Sequence, residues 1–404
     1  MSTKMLRLLA AILAFGLLAA ACGGDDDESA AGGDCEAGQT DGDLNLYNWA
    51  EYIDPELKTQ FEEEFGVTVN EDNYDSNEQM QPIISQGNSG YDLIVPSDYM
   101  VSILIEGGDI APINRSAVPN ISNLADEFAS GLPFDPDATY SVPYQWGTTG
   151  LGVDLSVVGE DVPQTWGLIF DADLAAEYGL EGAITILNDP RETMGAALKY
   201  LGYSLNTTDQ GQLDEAKAIV ADATSRVAAY ESDQYDELLV SGQTSVAHGY
   251  SGNFLVQFFE AEDPEQFTYF VPEEGGTRWV DNMAVVADAP HPCTAHAFIN
   301  FLLDAENGAA LTNWNYYASP NAAAVPFIDQ EVLDDPIVYP ADQSRLEFIA
   351  DTGDFEIELS DAFNAARGLS SEGQSLIDGV AFGRPRRRFH TPPSALERIV
   401  SMSM

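Results

Sequence analysis

Three observations in the sequence predict an α/β fold with a mainly parallel sheet and helices on both of its faces. Short apolar runs alternate with amphipathic helical segments in βαβαβ order. A turn-rich stretch, "TYSVPYQWGTTGLGV", interrupts that order, and a second α/β set follows it. The 404 residues suffice for two lobes of ordinary size or one large domain with appendages. A hydrophobic content of 45% with 10% aromatics excludes a largely disordered chain.

The elements read in order as follows. "LNLYNWAEY" is a strand ending in aromatics. "DPELKTQFEEEFG" carries Leu57, Phe61 and Phe65 at four-residue spacing and reads as a helix. "VTVNEDNY" alternates as a strand, "NEQMQPIISQG" is helical, and "YDLIVPSDY" is a buried strand. "MVSILIEGG" is a helix stopped by paired glycines. After the crossing stretch come the strand "GAITILND" and the helices "PRETMGAALKYLGY" and "QLDEAKAIVADATSRVAAY". "TSVAHGYSG" then runs into "NFLVQFFEA". "FTYFVPEEGGTRWVDNMAVVAD" reads as two strands around an "EEGG" turn, and "CTAHAFINFLLDAENGAALTNW" as helix.

The N-terminus stands apart from this body. Lys4 and Arg7 precede an uncharged run that ends in small residues, as an export signal does. "LLAAAC" resembles a bacterial lipobox that would make Cys22 the lipidated mature N-terminus; Ala19 stands where leucine is usual, and an ordinary cleaved signal is the alternative. Residues 22–42, rich in Gly and Asp, fit a flexible acidic tether. Residues 379–404 are Arg/Pro-rich and aperiodic, and are expected to be a disordered extension. Cys35 and Cys293 form an even pair in an exported chain and so fit a disulfide; two free thiols are the alternative.

A formal charge of −51 disfavours nucleic acid as a partner and favours cations. Four His and three Cys show no zinc-type spacing, so neither metal nor cofactor is expected.

Ligands of open α/β sheets bind beyond the carboxyl ends of the strands. There the sequence places Trp49, Glu51 and Tyr52; Ser97, Asp98 and Tyr99; Asn188, Asp189 and Glu192; Tyr250, Ser251 and Asn253; and Tyr316 and Tyr317. In "RWVDNMAVV", Trp279 and Asp281 share one face of a strand. Aromatics recur beside carboxylates, and Arg191 and Arg278 are the nearby bases. An alkyl chain carrying amines would fit: carboxylates pair with ammonium groups, and ring faces hold methylenes and attract cations. Each residue also has a structural reading. Asp189 before Pro190 suits a helix N-cap, and adjacent tyrosines mostly pack.

Five motifs, "LYNWAEYIDPEL", "YDLIVPSDYMV", "YSVPYQWGTTGLGV", "NDPRETMGAALKYLGYSLNTTD" and "RWVDNMAV", resemble the periplasmic spermidine/putrescine-binding proteins of polyamine ABC importers, over roughly residues 43–360. The resemblance implies a two-lobed periplasmic-binding-protein fold of type II, with a hinge between the lobes and the ligand in the interlobe cleft. It implies lobe 1 at 43–147 and 281–317 and lobe 2 at 148–280 and 318–378. It carries ligand carboxylates onto Glu51, Asp189, Glu192 and Asp281, and an aromatic box onto Trp49, Tyr52, Tyr99, Tyr250, Trp279 and Tyr317. Ser97 matches a polar contact. Four positions depart from the pattern: Tyr250 replaces a tryptophan, Ala50 a threonine or serine, Asn253 the aspartate of putrescine-selective members, and Ile349 a glutamine. The expectation is a monomeric, lipid-anchored binding protein, periplasmic or on the outer face of the cytoplasmic membrane, with no catalytic residues. It would deliver polyamines, spermidine over putrescine, to a membrane-embedded permease. The alternatives are a binding protein for another small solute and a glycosidase using Asp189 and Asp281.

Overall fold

A computed structural model describes residues 35–369. The leader at 1–21, the lipidation candidate Cys22 and the tail at 379–404 lie outside the described residues.

One sheet runs through both halves of the molecule in the order β2-β1-β3-β9-β4-β7-β5-β6. In the first half, β1 (Leu44–Trp49) pairs in parallel with β2 (Val69–Tyr74) and β3 (Leu93–Ile94). In the second, β5 (Ile184–Ile186) lies parallel between β6 (Val227–Tyr230) and β7 (Val246–Tyr250). Two antiparallel strands join the halves: β4 (Val142–Asp154) and β9 (Gly276–Val285). The structure is thus the two-lobed α/β periplasmic-binding-protein fold of type II.

The stretch predicted as turn-rich strands is a single strand. Over its first part, up to Thr148, β4 pairs with β9; from Thr149 it pairs with β7, and from Leu151 also with β8 (Phe267–Phe270). It is buried along its whole length. Its glycines suggested turns but serve close packing inside a strand. The "EEGG" stretch is not a hairpin either. β8 and β9 do not pair with each other; they follow one another along the same edge of β4.

Helices form where caps and apolar spacing agree. Helix α1 (Pro55–Phe65) is capped by the Asp54 carboxylate, which accepts from Glu56 N at 2.8 Å, has proline in its first turn, and stops at left-handed Gly66. Its buried Phe61 packs on Phe298 and Phe301, with ring centroids 4.9 and 5.4 Å away. Burying such a side chain contributes about 1.5–3 kcal/mol. Helices α2 (Asn77–Ser85) and α3 (Asp98–Gly107) follow β2 and β3. In the second half, α4 (Pro190–Tyr200), α5 (Gln210–Thr224) and α6 (Ser251–Glu260) cover the sheet. The segment read as helix through "SRVAAY" ends at Thr224, and its last residues become β6, because Val227 and its neighbours complete the pairing of β5. The later helical run is likewise two helices, α7 (Pro292–Leu302) and α8 (Ala305–Asn315), the second capped by Asp304 through Glu306 N at 3.0 Å.

Strand β9 explains its own composition. Trp279, Met283 and Val285 face a core holding Leu44, Phe61 and Phe298. Val280, Ala284 and Val286 face a second core with Met100 and Leu104. Both faces of the strand are thus covered, and Thr277, Asp281 and Asn282 are the polar residues buried with it.

The described part of the segment expected to be a tether, from Cys35 on, is held against the body. Cys35 is disulfide-bonded to Cys293. The Asp41 carboxylate accepts from Thr294 N at 3.0 Å and Thr294 Oγ1 at 3.1 Å. Residues 35–42 are therefore fastened to the start of α7 in place of hanging free. A final helix, α9 (Phe355–Ala366), packs Leu359 and Phe363 into the second-half core.

Candidate functional site

A cavity opens between the two halves at the carboxyl ends of the parallel strands, where ligands of open α/β sheets bind. Trp49, Tyr52, Tyr74, Asp75, Asn77, Ser97 and Tyr99 line it from the first half; Asp189, Arg191, Glu192, Ser232, Asp233, Tyr250 and Asn253 from the second. Trp279 and Asp281 come from the shared strand β9, with Tyr317 and Ile349 completing the wall.

The predicted ligand-binding residues meet here, with one exception. Trp49, Tyr52, Ser97, Tyr99, Asp189, Glu192, Tyr250, Asn253, Trp279, Asp281 and Tyr317 all line the cavity. Glu51 does not: the chain turns after β1 with Glu51 at φ 53°, and its side chain is exposed outside the lining. Tyr74, Asp75, Ser232 and Asp233 were not predicted; the alternation of "VTVNEDNY" and the polar run after β6 gave no ligand signal.

The aromatic wall is a set of rings meeting edge to face. Tyr52 lies 5.3 Å from Tyr317 and 6.4 Å from Trp279; Trp279 lies 5.2 Å from Tyr317 and 6.0 Å from Tyr250. Trp49 packs on Tyr74 at 4.6 Å and anchors its indole N–H on Val95 O at 2.9 Å. Two glycines make the wall possible. A Cβ on Gly147 would come within 2.6 Å of the Trp279 ring, and one on Gly252 within 2.7 Å of Tyr317. Tyr317 enters the cavity because Tyr316, which ends α8, takes a left-handed φ of 57°. A reciprocal amide pair, Gln145 with Asn315 at 2.9 and 2.6 Å, braces that turn, and Asn315 Oδ1 accepts from Tyr317 N at 3.2 Å. The Tyr317 hydroxyl donates to Asn253 Oδ1.

The acidic residues are buried and short of cations. Glu192 is 5% exposed; Thr149 and Thr277 donate to its two oxygens at 3.0 and 2.8 Å. Burial nonetheless pushes its carboxyl up to about 7. Asp189 caps α4 by accepting from Glu192 N at 2.9 Å, so its structural and cavity-lining readings hold together. Burial and the neighbouring Glu192 charge raise its pKa. Asp281 is 6% exposed, and burial lifts it to about 7 against the opposing influence of Ser97 and Tyr52. Asp98 stands behind the wall, outside the lining; its carboxylate accepts from Tyr99 N at 2.8 Å and Val280 N at 3.4 Å.

The nearby bases are committed elsewhere. Arg191 pairs with Glu356, donates to Ala350 O at 3.1 Å, and lies 5.0 Å over the Tyr99 ring. Arg278, on the opposite face of β9 from Trp279, lies 4.4 Å over Trp146 and donates to Gln343 at 2.7 Å.

Asp281 Oδ1, Tyr52 Oη and Trp279 Nε1 make no close hydrogen bond among the described residues, although the Tyr52 hydroxyl and the Asp281 carboxylate are near enough to act on one another. Buried polar groups are almost always paired, so the free acceptor on Asp281 is open to a donor on a ligand. Among the described residues, no group of three or more His, Cys, Asp or Glu side chains is placed to hold a metal ion.

Comparison with known proteins agrees with this geometry. The putrescine/cadaverine-binding protein of Pseudomonas aeruginosa is 35% identical over 316 residues, covering 76% of this chain and 88% of the relative. The spermidine/putrescine-binding periplasmic protein of Escherichia coli is 35% identical over 299 residues, covering 74% and 83%. Among solved structures, the Tp0655 (TpPotD) lipoprotein of Treponema pallidum superposes with a TM-score of 0.67 at 31% identity, covering 80% of this chain and 99% of that one. The family model for bacterial extracellular solute-binding proteins matches residues 56–340. The chain therefore belongs to the bacterial extracellular solute-binding protein family, which binds solutes and is not a family of enzymes, and it is related to the polyamine-binding proteins of ABC transporters.

Proposed function

We propose that this protein captures polyamines outside the cytoplasmic membrane and delivers them to an ABC permease, with spermidine preferred over putrescine. The observation that carries the reading is the unpartnered Asp281 Oδ1 acceptor set with the buried carboxylates of Asp189 and Glu192 beside an aromatic box. An ammonium group at Asp281 would satisfy Oδ1 and the raised carboxyl, while methylenes lie against Trp279 and Tyr317. A second ammonium meets Asp189 and Glu192. The named ligands of the relatives above are polyamines, which supports the same class.

The proposed lobes are 43–147 with 281–317 and 148–280 with 318–378, amended at one boundary. Ala318, Ala324, Ile328 and Val332 pack in the core with Ile94 and Met100, so the start of the last segment moves with lobe 1. Ligand touching both lobes stabilises the closed form, which is the form a permease would select. Cys22 is the proposed lipid attachment, and the monomer the proposed working unit.

A thermal-shift and calorimetric panel of spermidine, putrescine, spermine and Fe³⁺ tests the reading, because a ligand bound only by the native state raises the melting temperature. Stabilisation by the polyamines alone supports it. No shift with any polyamine rejects it.

A further inference from the structure

The cavity is lined by more carboxyl groups than a ligand with three ammonium groups can pair. Five carboxylates line it, those of Asp75, Asp189, Glu192, Asp233 and Asp281, and its one arginine is paired with Glu356. Asp189, Glu192 and Asp281 are deep, each at most 6% exposed. Asp75 and Asp233 sit at the mouth: Asp75 is half-buried just past β2, and Asp233 is exposed just past β6. They belong to opposite halves of the molecule, yet the Asp75 charge reaches Asp233 and, with those of Glu231 and Glu51, disfavours a second negative charge there. Neither is held in an ion pair among the described residues. The same cavity carries the unpartnered Asp281 Oδ1, on a side chain at least nine-tenths buried, so the mouth pair extends an independently marked site.

Resting on the polyamine reading above, we propose that Asp75 and Asp233 form an outer ammonium subsite that reads ligand length and favours a linear tetraamine over a triamine. The physical reason is that like charges facing each other across the mouth oppose closure. A triamine engaging the three deep carboxylates leaves that repulsion in place. A fourth ammonium reaching the mouth replaces it with two attractions, one to each lobe. Exposed ion pairs are individually weak, and two of them together make the preference about fivefold, which shrinks as salt screens the mouth.

The test is calorimetry of spermine and spermidine with wild type and with the double variant Asp75→Asn/Asp233→Asn, at low and physiological ionic strength. Wild type is expected to bind spermine about fivefold tighter or more at low salt, and the double variant to bring the ratio of the two dissociation constants toward one. A melting temperature of the ligand-free variant at or above that of wild type shows that it folds. Equal affinity of wild type for both ligands overturns this inference and leaves the polyamine reading standing, as does a ratio that survives in the variant. Failure of both ligands to bind overturns the polyamine reading and this inference with it.

Discussion

Replacing Asp281 with asparagine is expected to move ligand affinity and ligand-free stability in opposite directions. Asp281 is 6% exposed, its Oδ1 has no partner among the described residues, and its carboxyl is raised from 3.8 to about 7. The native state thus holds this proton more tightly than the unfolded chain does. Stability is fullest below about pH 4 and declines as pH rises toward 7, where the buried carboxylate becomes charged without a cation. The difference of about three pH units corresponds to at most roughly 4 kcal/mol above pH 7. Asp281→Asn removes that cost while keeping the shape, so ligand-free variant should melt higher than wild type at pH 7.5 and nearly equal to it near pH 4. For spermidine the same change removes one partner of a buried charge pair, at a cost of about 2–5 kcal/mol, a loss of thirtyfold or more. Thermal melts across pH with calorimetry at pH 7.5 measure both. A loss of affinity below tenfold, or a lower melting temperature at pH 7.5, would refute the role given to this carboxylate.

Three further outcomes follow from the same structure. Spermidine binding should weaken below about pH 7, because Glu192 and Asp281 must then release protons to pair with ammonium; pH-independent affinity between 5 and 8 contradicts this. Gly147→Ala should weaken spermidine binding by about fivefold or more, on the order of 1–3 kcal/mol for overpacking, since the added Cβ would meet Trp279 at 2.6 Å; intrinsic tryptophan fluorescence and calorimetry report it. Replacing both Cys35 and Cys293 by serine should destabilise the fold by about 2–5 kcal/mol, read from urea unfolding, while spermidine affinity at low temperature changes little because the bridge lies outside the cavity lining.

Much of this fold was legible because its signals are local. Asp54, Pro55 and Gly66 mark both ends of α1, and Asp189 with Pro190 marks the start of α4, which is why that aspartate could be placed at a strand end. Trp279 and Asp281 were paired by strand periodicity alone, and both reach the cavity. What escaped depends on neighbours distant in sequence. The glycines of β4 signal turns in isolation, and only the Trp279 ring shows why position 147 admits no side chain. Val227–Tyr230 has helical company on one side, and its partner β5 decides its conformation. Glu51 was placed by motif, but one left-handed residue after β1 turns it outward. Asp75 and Asp233 acquire meaning only when the two halves face each other.

The most direct measurement is a crystal structure of the spermidine complex at neutral pH. It should show one ammonium within hydrogen-bond distance of Asp281 Oδ1, a second at Asp189 and Glu192, and methylenes against Trp279 and Tyr317. Spermidine bound outside this cavity, or inside it with Asp281 Oδ1 still unpartnered, would contradict the role assigned to these residues.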